Sequence, residues 1–339
     1  MKISLSYFAA TTRAEAASAY AVLLDTARLA DEAGLEALWL PERHFADFGA
    51  PYPNPSVVGA ALATATRRIG IRAGSVVMPL HHPARVAEEW AVVDQLSRGR
   101  VGVSFASGWH GADFVLSRFP VAERKRVMRE GIDQVRALWR GETRVFPDAL
   151  GAEIEVRTMP QPVQPELPIW LTSGGSTPTF ELAGSMGAGV LTHLLGQPPE
   201  ELARNIEAYR KTWQGPGRGH ITLMVHTHVL DGSRASEERA HAELARYLGA
   251  SMSLVATDVA NAQGAAAFGS MSGDDRSTLA RQSAARFAGL GLICTPAELP
   301  ERLATVASWD VDEVACLIDF GFDHESILRS LDDLLTTLA

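Results

Sequence analysis

Four short stretches of this chain carry side chains that could do chemistry. The first is Trp39-Leu40-Pro41-Glu42-Arg43-His44-Phe45, where an apolar run ends in three polar residues. Histidine is the side chain best matched to proton transfer near neutral pH, so His44 is the candidate acid–base residue. A histidine at a strand end is also a common structural hydrogen-bonder, and Glu42 and Arg43 read equally well as a surface ion pair. The second stretch runs from Gly74-Ser75 to Leu80-His81-His82-Pro83. Glycine and serine at a strand end let a flat ligand approach the backbone, or mark a bulge. Adjacent histidines on an extended chain point apart, and no Asp/Glu/His cluster joins them, so no metal is expected at His81 and His82.

The third stretch is Val103-Ser104-Phe105-Ala106-Ser107-Gly108-Trp109-His110. Strand alternation places Ser104 and Ala106 on one face, where small side chains leave room for a ring system, and Phe105 and Ser107 on the other. The fourth is Ser173-Gly174-Gly175-Ser176-Thr177-Pro178-Thr179. Thr177 is placed as an N-cap and Pro178 in a first helical turn. Free N–H groups, hydroxyls and the positive helix end could together hold an anion, although an ordinary capped helix start has the same look. Neither a P-loop pattern nor a GxGxxG between strand and helix occurs.

These stretches sit at the ends of apolar runs. Strands are expected at about 3–8, 37–40, 69–77, 101–106, 169–172, 190–194, 222–230 and 314–319. Their nearly continuous apolar character suits strands covered on both faces. Amphipathic segments between them carry Tyr20, Leu23, Leu24, Ala27 and Ala30, then Met128, Ile132, Val135 and Trp139, and finally Ile327, Leu328, Leu331 and Leu335 at helical spacing. The alternation predicts a (β/α)8 barrel, and a doubly wound open sheet fits it nearly as well. Residues 140–168 read as a proline-spaced connector or hairpin. Residues 257–275, rich in small side chains, read as a loop between the seventh and eighth strands.

Bulk properties narrow the function. The 339 residues carry a formal charge of −9 and are 46% hydrophobic. That balance argues against nucleic acid or an anionic membrane as the main partner. Cys294 and Cys316 stand outside any CxxC pattern and read as reduced core thiols. No secretory leader or membrane span is apparent, so a cytoplasmic protein is expected.

Taken in order, PERHF at 41–45, AGSVVMPLHHPAR at 73–85, SRGRVGVSFASGWHGADF at 97–114 and WLTSGGSTPTFELAGSMGAGVLTHLLGQ at 170–197 resemble the bacterial-luciferase-like flavin-dependent monooxygenases. The wording is closest to the branch associated with polyketide and nonribosomal-peptide biosynthesis. The resemblance implies one TIM-barrel domain over 1–339, with insertions after strands 4 and 7. It implies FMN, supplied reduced by a separate reductase, reacting with dioxygen through a flavin 4a-hydroperoxide to oxygenate a small substrate, free or held on a carrier protein. His44 matches the family's catalytic histidine, and Gly74-Ser75 falls where the family places a non-prolyl cis peptide. Ser176 and Thr179 match phosphate-binding hydroxyls. Ser104, Ala106 and the strand end Thr192-His193-Leu194 match positions around the flavin ring. Ser107, Ser173, Gly174 and Gly175 complete the expected cofactor cradle. Two positions depart from the family: Ser107 and Gly175 replace an arginine and a glutamate that contact the phosphate in luciferase. Light emission with an aldehyde is not expected, because Ala106 replaces a reactive cysteine. A homodimer follows from family habit. The rival readings are a deazaflavin-dependent hydride-transfer enzyme on the same barrel and a non-catalytic flavin-binding relative.

Overall fold

In the computed structural model, which describes residues 1–9, 16–49, 51–255 and 270–339, eight parallel strands close on themselves. They are β1 (Lys2–Ser6), β2 (Ala37–Leu40), β3 (Gly70–Val77), β4 (Val101–Ala106), β7 (Ile169–Ser173), β8 (Gly189–His193), β9 (Ile221–Val229) and β11 (Glu313–Leu317). Neighbours pair in that order, and β11 pairs with β1 to complete the ring. The barrel expected from the alternation is therefore present, and the open-sheet alternative is not. All eight expected strands are found, with boundaries within two residues. The 140–168 connector holds an antiparallel hairpin of β5 (Arg144–Pro147) and β6 (Glu153–Val156).

Ten α-helices are described beside them: α1 (Ala16–Ala33), α2 (Pro55–Ala65), α3 (Pro83–Ser97), α4 (Arg124–Trp139), α5 (Thr177–Ser185), α6 (Pro199–Thr212), α7 (Arg234–Val255), α8 (Gly273–Leu290), α9 (Leu299–Ala307) and α10 (His324–Leu338). Their starts follow from local chemistry. Asn54 accepts the N–H groups of Ser56 and Val57 ahead of Pro55, and Asp323 accepts that of Ser326.

Two differences from expectation lie in the C-terminal third. A ninth strand, β10 (Leu292–Cys294), pairs with the second half of β9, whose first half pairs with β8 and β11. The other concerns the end of the expected 257–275 loop. Residues 257–269 lie outside the described residues, whereas Gly273, Asp274 and Asp275 form the first turn of α8, capped by Ser272.

The barrel interior is filled from the bottom up. The buried Glu313 carboxylate accepts from Ser4 Oγ (2.6 Å), Trp39 Nε1 (2.8 Å) and Arg72 (2.7 Å), and bonds His220 Nε2 (2.8 Å). Burial alone would raise its pKa; the bonds from His220, Arg72 and Ser4 instead hold it far below the usual carboxylate range. Above it, Trp39 and Trp170 meet edge to face at 5.2 Å, packed with Leu191 and Ala315. Trp170 fits because Gly189 and Gly102 face it; a Cβ at Gly189 would collide with its indole. The barrel is therefore plugged below and free to present side chains at the carboxyl ends of its strands, the face that carries activity in such barrels.

Candidate active site

Glu42 organises one side of this mouth. It follows β2, is 6% exposed, and is no part of a surface pair with Arg43. One carboxylate oxygen, Oε1, bonds both His44 Nε2 (2.8 Å) and His81 Nε2 (2.6 Å), while Oε2 accepts the backbone N–H of Val77 (2.8 Å). Burial by itself would raise its pKa; the bonds from His44 and His81 outweigh this and leave it lowered. Burial likewise would lower the pKa of His81, and the Glu42 bond and charge leave it raised. The ionised Glu42 thus assigns Nε2–H to His44 and leaves His44 Nδ1 as the ring nitrogen free for exchange. His82 turns the other way: its Nδ1 accepts from Ala84 N (3.2 Å) and caps α3. The two adjacent histidines do point apart, as their spacing suggests.

Arg43 is also buried, at 5% exposure. Its guanidinium lies over the Trp109 ring (4.9 Å to the centroid) and the Phe8 ring (5.4 Å). Asp113 Oδ2 is 3.8 Å away, and Asp113 Oδ1 bonds His110 Nδ1 at 2.7 Å. Residue-type reasoning missed this cluster. The signal available was the His110-x-x-Asp113 spacing, which sets the two side chains on one face of a short turn (Gly111–Leu116).

Next to this group, along β3, β4 and β7, Thr172 Oγ1 bonds Ser104 Oγ (2.7 Å) and Ser75 Oγ (2.9 Å), so three neighbouring strands bring their hydroxyls together. The Gly74–Ser75 peptide is cis, and the β3–β4 register shifts between Gly74 and Val76. Ala106 and Ser107 are half-buried at the end of β4. The resemblance to the flavin family anticipates this hydroxyl cluster only in part, since Thr172 carries no role in it.

The 173–179 segment forms a tight loop into α5. Ser173 Oγ accepts the N–H groups of Gly175 (3.3 Å) and Ser176 (3.1 Å). Ser176, not Thr177, occupies the N-cap, and its side chain caps no N–H. Thr177 Oγ1 instead donates to Asn205 Oδ1 (2.6 Å), because α6 packs against α5 and brings Asn205 under the loop. Asn205 Nδ2 further bonds Gly175 O (3.1 Å) and Gln197 Oε1 (2.7 Å). Ser176 and Gly174 are exposed, Gly175 and Thr179 half-buried, so the loop offers hydroxyls and helix-end N–H groups outward. No arginine or lysine side chain among the described residues hydrogen-bonds to this loop.

β8 supplies the remaining expected residues. Thr192 Oγ1 is buried and donates to Ser173 O (2.7 Å), and it accepts from Gln197 Nε2 (3.1 Å). It therefore braces the loop from behind. Leu194 is buried, and His193 lies over Gly174 with its Nδ1 sealed from solvent and unpartnered. His226 Nε2, one strand on, is also unpartnered, and the two residues line a cavity of about 20 Å³, room for roughly one water. Burial pushes His193 down and His226 to about 3, so both rings are neutral at ordinary pH.

The donor set fits a flat, phosphorylated ring compound. Small residues and three converging hydroxyls lie along one wall, with an uncapped helix start at the end. Among the described residues no group of three or more His, Cys, Asp or Glu could hold a metal ion, and no helix is long and apolar enough to cross a membrane.

Comparison with known proteins bears on the family and the fold. A family model described as luciferase-like monooxygenase matches residues 1–313. The oxygenase component of a flavin-dependent trigonelline monooxygenase from Acinetobacter baylyi is 28% identical over 234 residues, which span 66% of this chain and 62% of that protein. The crystal structure of the monooxygenase RslO1 from Streptomyces bottropensis superposes with a TM-score of 0.80 at 22% identity, covering 100% of this chain and 98% of that one. An F420-dependent secondary alcohol dehydrogenase superposes at 0.74 and 17%, covering 100% of both chains. At those identities the likeness shows the fold, and the fold alone does not choose the cofactor.

Proposed function

Because the chain belongs to the luciferase-like monooxygenase family, we propose that it is the oxygenase component of a two-component system. It takes reduced FMN from a separate flavin reductase and uses dioxygen to oxygenate a small natural-product intermediate, free or held on a carrier protein. The reading includes a cytoplasmic location, a single barrel domain over 1–339 and a homodimer. The observation that carries it is the arrangement at the mouth: a hydroxyl-lined wall along β3, β4 and β7 that leads to the anion-receptive loop before α5, beside a Glu42-oriented histidine after β2.

FMN would rest its ring along Gly74, Ser75, Ser104, Ala106, His193 and Leu194, with Thr192 bracing the loop from behind. Its phosphate would lie at Ser107, Ser173, Gly174, Gly175, Ser176 and Thr179, held by hydroxyls and the α5 start rather than by a cation. Reduced flavin supplies the electrons that activate dioxygen. The protein supplies positioning and proton control. His44, tied through Nε2 to Glu42, holds or accepts a proton at Nδ1. Apolar residues around the mouth, Phe8, Phe48 and Leu194 among them, keep water away from the reacting atoms.

The test is an anaerobic titration with reduced FMN, followed by turnover with dioxygen. His44→Ala is expected to keep its affinity for reduced FMN and to lose coupled product, with the electrons appearing as hydrogen peroxide. Unchanged product yield rejects the role of His44. Failure of the wild type to bind reduced FMN, with binding of a reduced deazaflavin instead, moves the chain to the hydride-transfer reading. Carrier tethering is rejected if free and carrier-bound substrates turn over equally fast.

A further inference from the structure

We propose that Arg43 is the receptor for a carboxylate on the substrate, so that the compound oxygenated is an organic acid with an apolar, flat body. The inference rests on the monooxygenase reading only for the word substrate; the anion site itself stands on geometry.

A guanidinium carries five N–H donors in a fixed fork. In most buried arginines those donors are filled. Here none of them makes a hydrogen bond to any described residue, and the Nε is sealed from solvent without a partner. The nearest carboxylate oxygen, Asp113 Oδ2, stands at 3.8 Å, beyond hydrogen-bond reach, and the other oxygen of Asp113 is engaged by His110. Asp113 therefore offsets part of the charge and leaves the fork empty. The two other acids nearby are also committed: Glu42 to His44, His81 and Val77 N–H, and Asp319 to Phe8 N (2.7 Å), Ala9 N (2.8 Å) and Tyr52 OH (3.3 Å).

The surroundings say what would fill the fork. Trp109 and Phe8 lie against the guanidinium, Phe8 continues to Phe48 (5.2 Å between centroids), and Phe48 continues to Tyr247 (4.8 Å). An anion there meets a planar bidentate donor and a wall of aromatic rings. Carboxylate matches the fork in shape, and an aryl or acyl body matches the wall. A buried cation with unfilled donors is costly to keep unless a ligand completes it. The flavin phosphate is assigned elsewhere by its own loop, across the mouth at Ser173–Ser176.

The experiment uses the full chain without flavin. Benzoate, cyclohexanecarboxylate and hexanoate are each titrated against the corresponding primary amide, followed by tryptophan fluorescence, since Trp109 lies on the fork. Acids are expected to bind saturably and about tenfold to a hundredfold more tightly than their amides. Arg43→Gln is expected to abolish that preference and Arg43→Lys, which keeps the charge without the fork, to retain part of it. Both variants are expected to bind reduced FMN as the wild type does. The proposal is overturned if amides bind as tightly as acids, if no acid binds in the millimolar range, or if Arg43→Gln keeps the preference. Loss of reduced FMN binding in Arg43→Lys also overturns it, by assigning the arginine to the cofactor. If Arg43→Gln fails to fold, the wild-type preference and the Arg43→Lys titration still decide. A wild type that binds acids but not reduced FMN would end the monooxygenase reading and leave the anion site standing.

Discussion

Glu42→Gln is the substitution whose cost can be worked most fully from the geometry. The glutamate makes three bonds: two from one oxygen to His44 and His81, and one from the other to Val77 N–H. A glutamine is nearly isosteric. Its carbonyl can keep the Val77 bond, and its two amide N–H groups can point at the two histidines, provided both turn to their Nδ1–H tautomers. Every group stays paired, so the expected loss is the difference between three charge-assisted and three neutral bonds. At 1.5–3 kcal/mol for each of the former and 0.5–1.5 for each of the latter, this amounts to roughly 3–4 kcal/mol. For a chain of this length that is a drop in Tm of about 4–6 °C. Glu42→Leu strands all three partners and is expected to cost roughly 3–5 kcal/mol. The pH dependence has a definite sign. Glu42 titrates lower in the fold, so its contribution is present above about pH 4.3 and lost on acidification. His81 titrates higher in the fold, so its contribution is present below about pH 6.5 and lost as pH rises. The difference in Tm between wild type and Glu42→Gln should therefore be largest between about pH 5 and 6 and shrink by pH 8.5. Scanning calorimetry across that range, with His81 followed by NMR, is the assay. A pH-independent difference, or a His81 titration unmoved by the substitution, would refute the reasoning.

Two further outcomes are expected. Burial pushes the Asp319 carboxyl up to about 6, against the bonds from Phe8 and Ala9 N–H that lower it. Its contribution to stability, roughly 3 kcal/mol, is present below pH 4 and lost as pH rises through 6. The urea midpoint of the wild type relative to Asp319→Asn should fall between pH 4.5 and 7, and a flat difference counts against it. Asn205→Ala removes three bonds beneath the 173–177 loop. It should weaken reduced FMN by about tenfold while leaving product yield per bound flavin unchanged, as read by titration and by coupling; an unchanged affinity would mean the loop holds its shape without α6.

The eight barrel strands were legible because strands covered on both faces must be largely apolar, and runs such as Val101–Ala106, where Ser104 alone is polar, are. β10 was not, because three residues, Leu292–Cys294, hold no period, and their strand character comes from β9 extending past its other partners. The α7–α8 pair was hidden by composition: alanine-, serine- and glycine-rich segments lack the contrast from which a helix face is read. At the mouth, His44 and the 173–179 loop stood out by residue type. Arg43 did not, because a charge next to a glutamate reads as exposed until Phe8 and Trp109, 35 residues before and 66 after it, are seen to close over it. Thr172 and Asn205 escaped for the same reason, since each acts on groups that arrive from other strands and helices.

The ring of strands is sealed by a seam between β1 and β11, Lys2↔Glu313 through Ser6↔Leu317. On a ribosome, β1 must therefore wait for a partner made about three hundred residues later. At roughly 5–20 residues per second, the delay is on the order of tens of seconds. Through that interval one edge of β1 has no permanent neighbour, and Glu313, which ties together Ser4, Trp39, Arg72 and His220, has not been made. Until β11 is made the barrel cannot close, and it is in that window, rather than in the finished ring, that a chaperone would find most to hold.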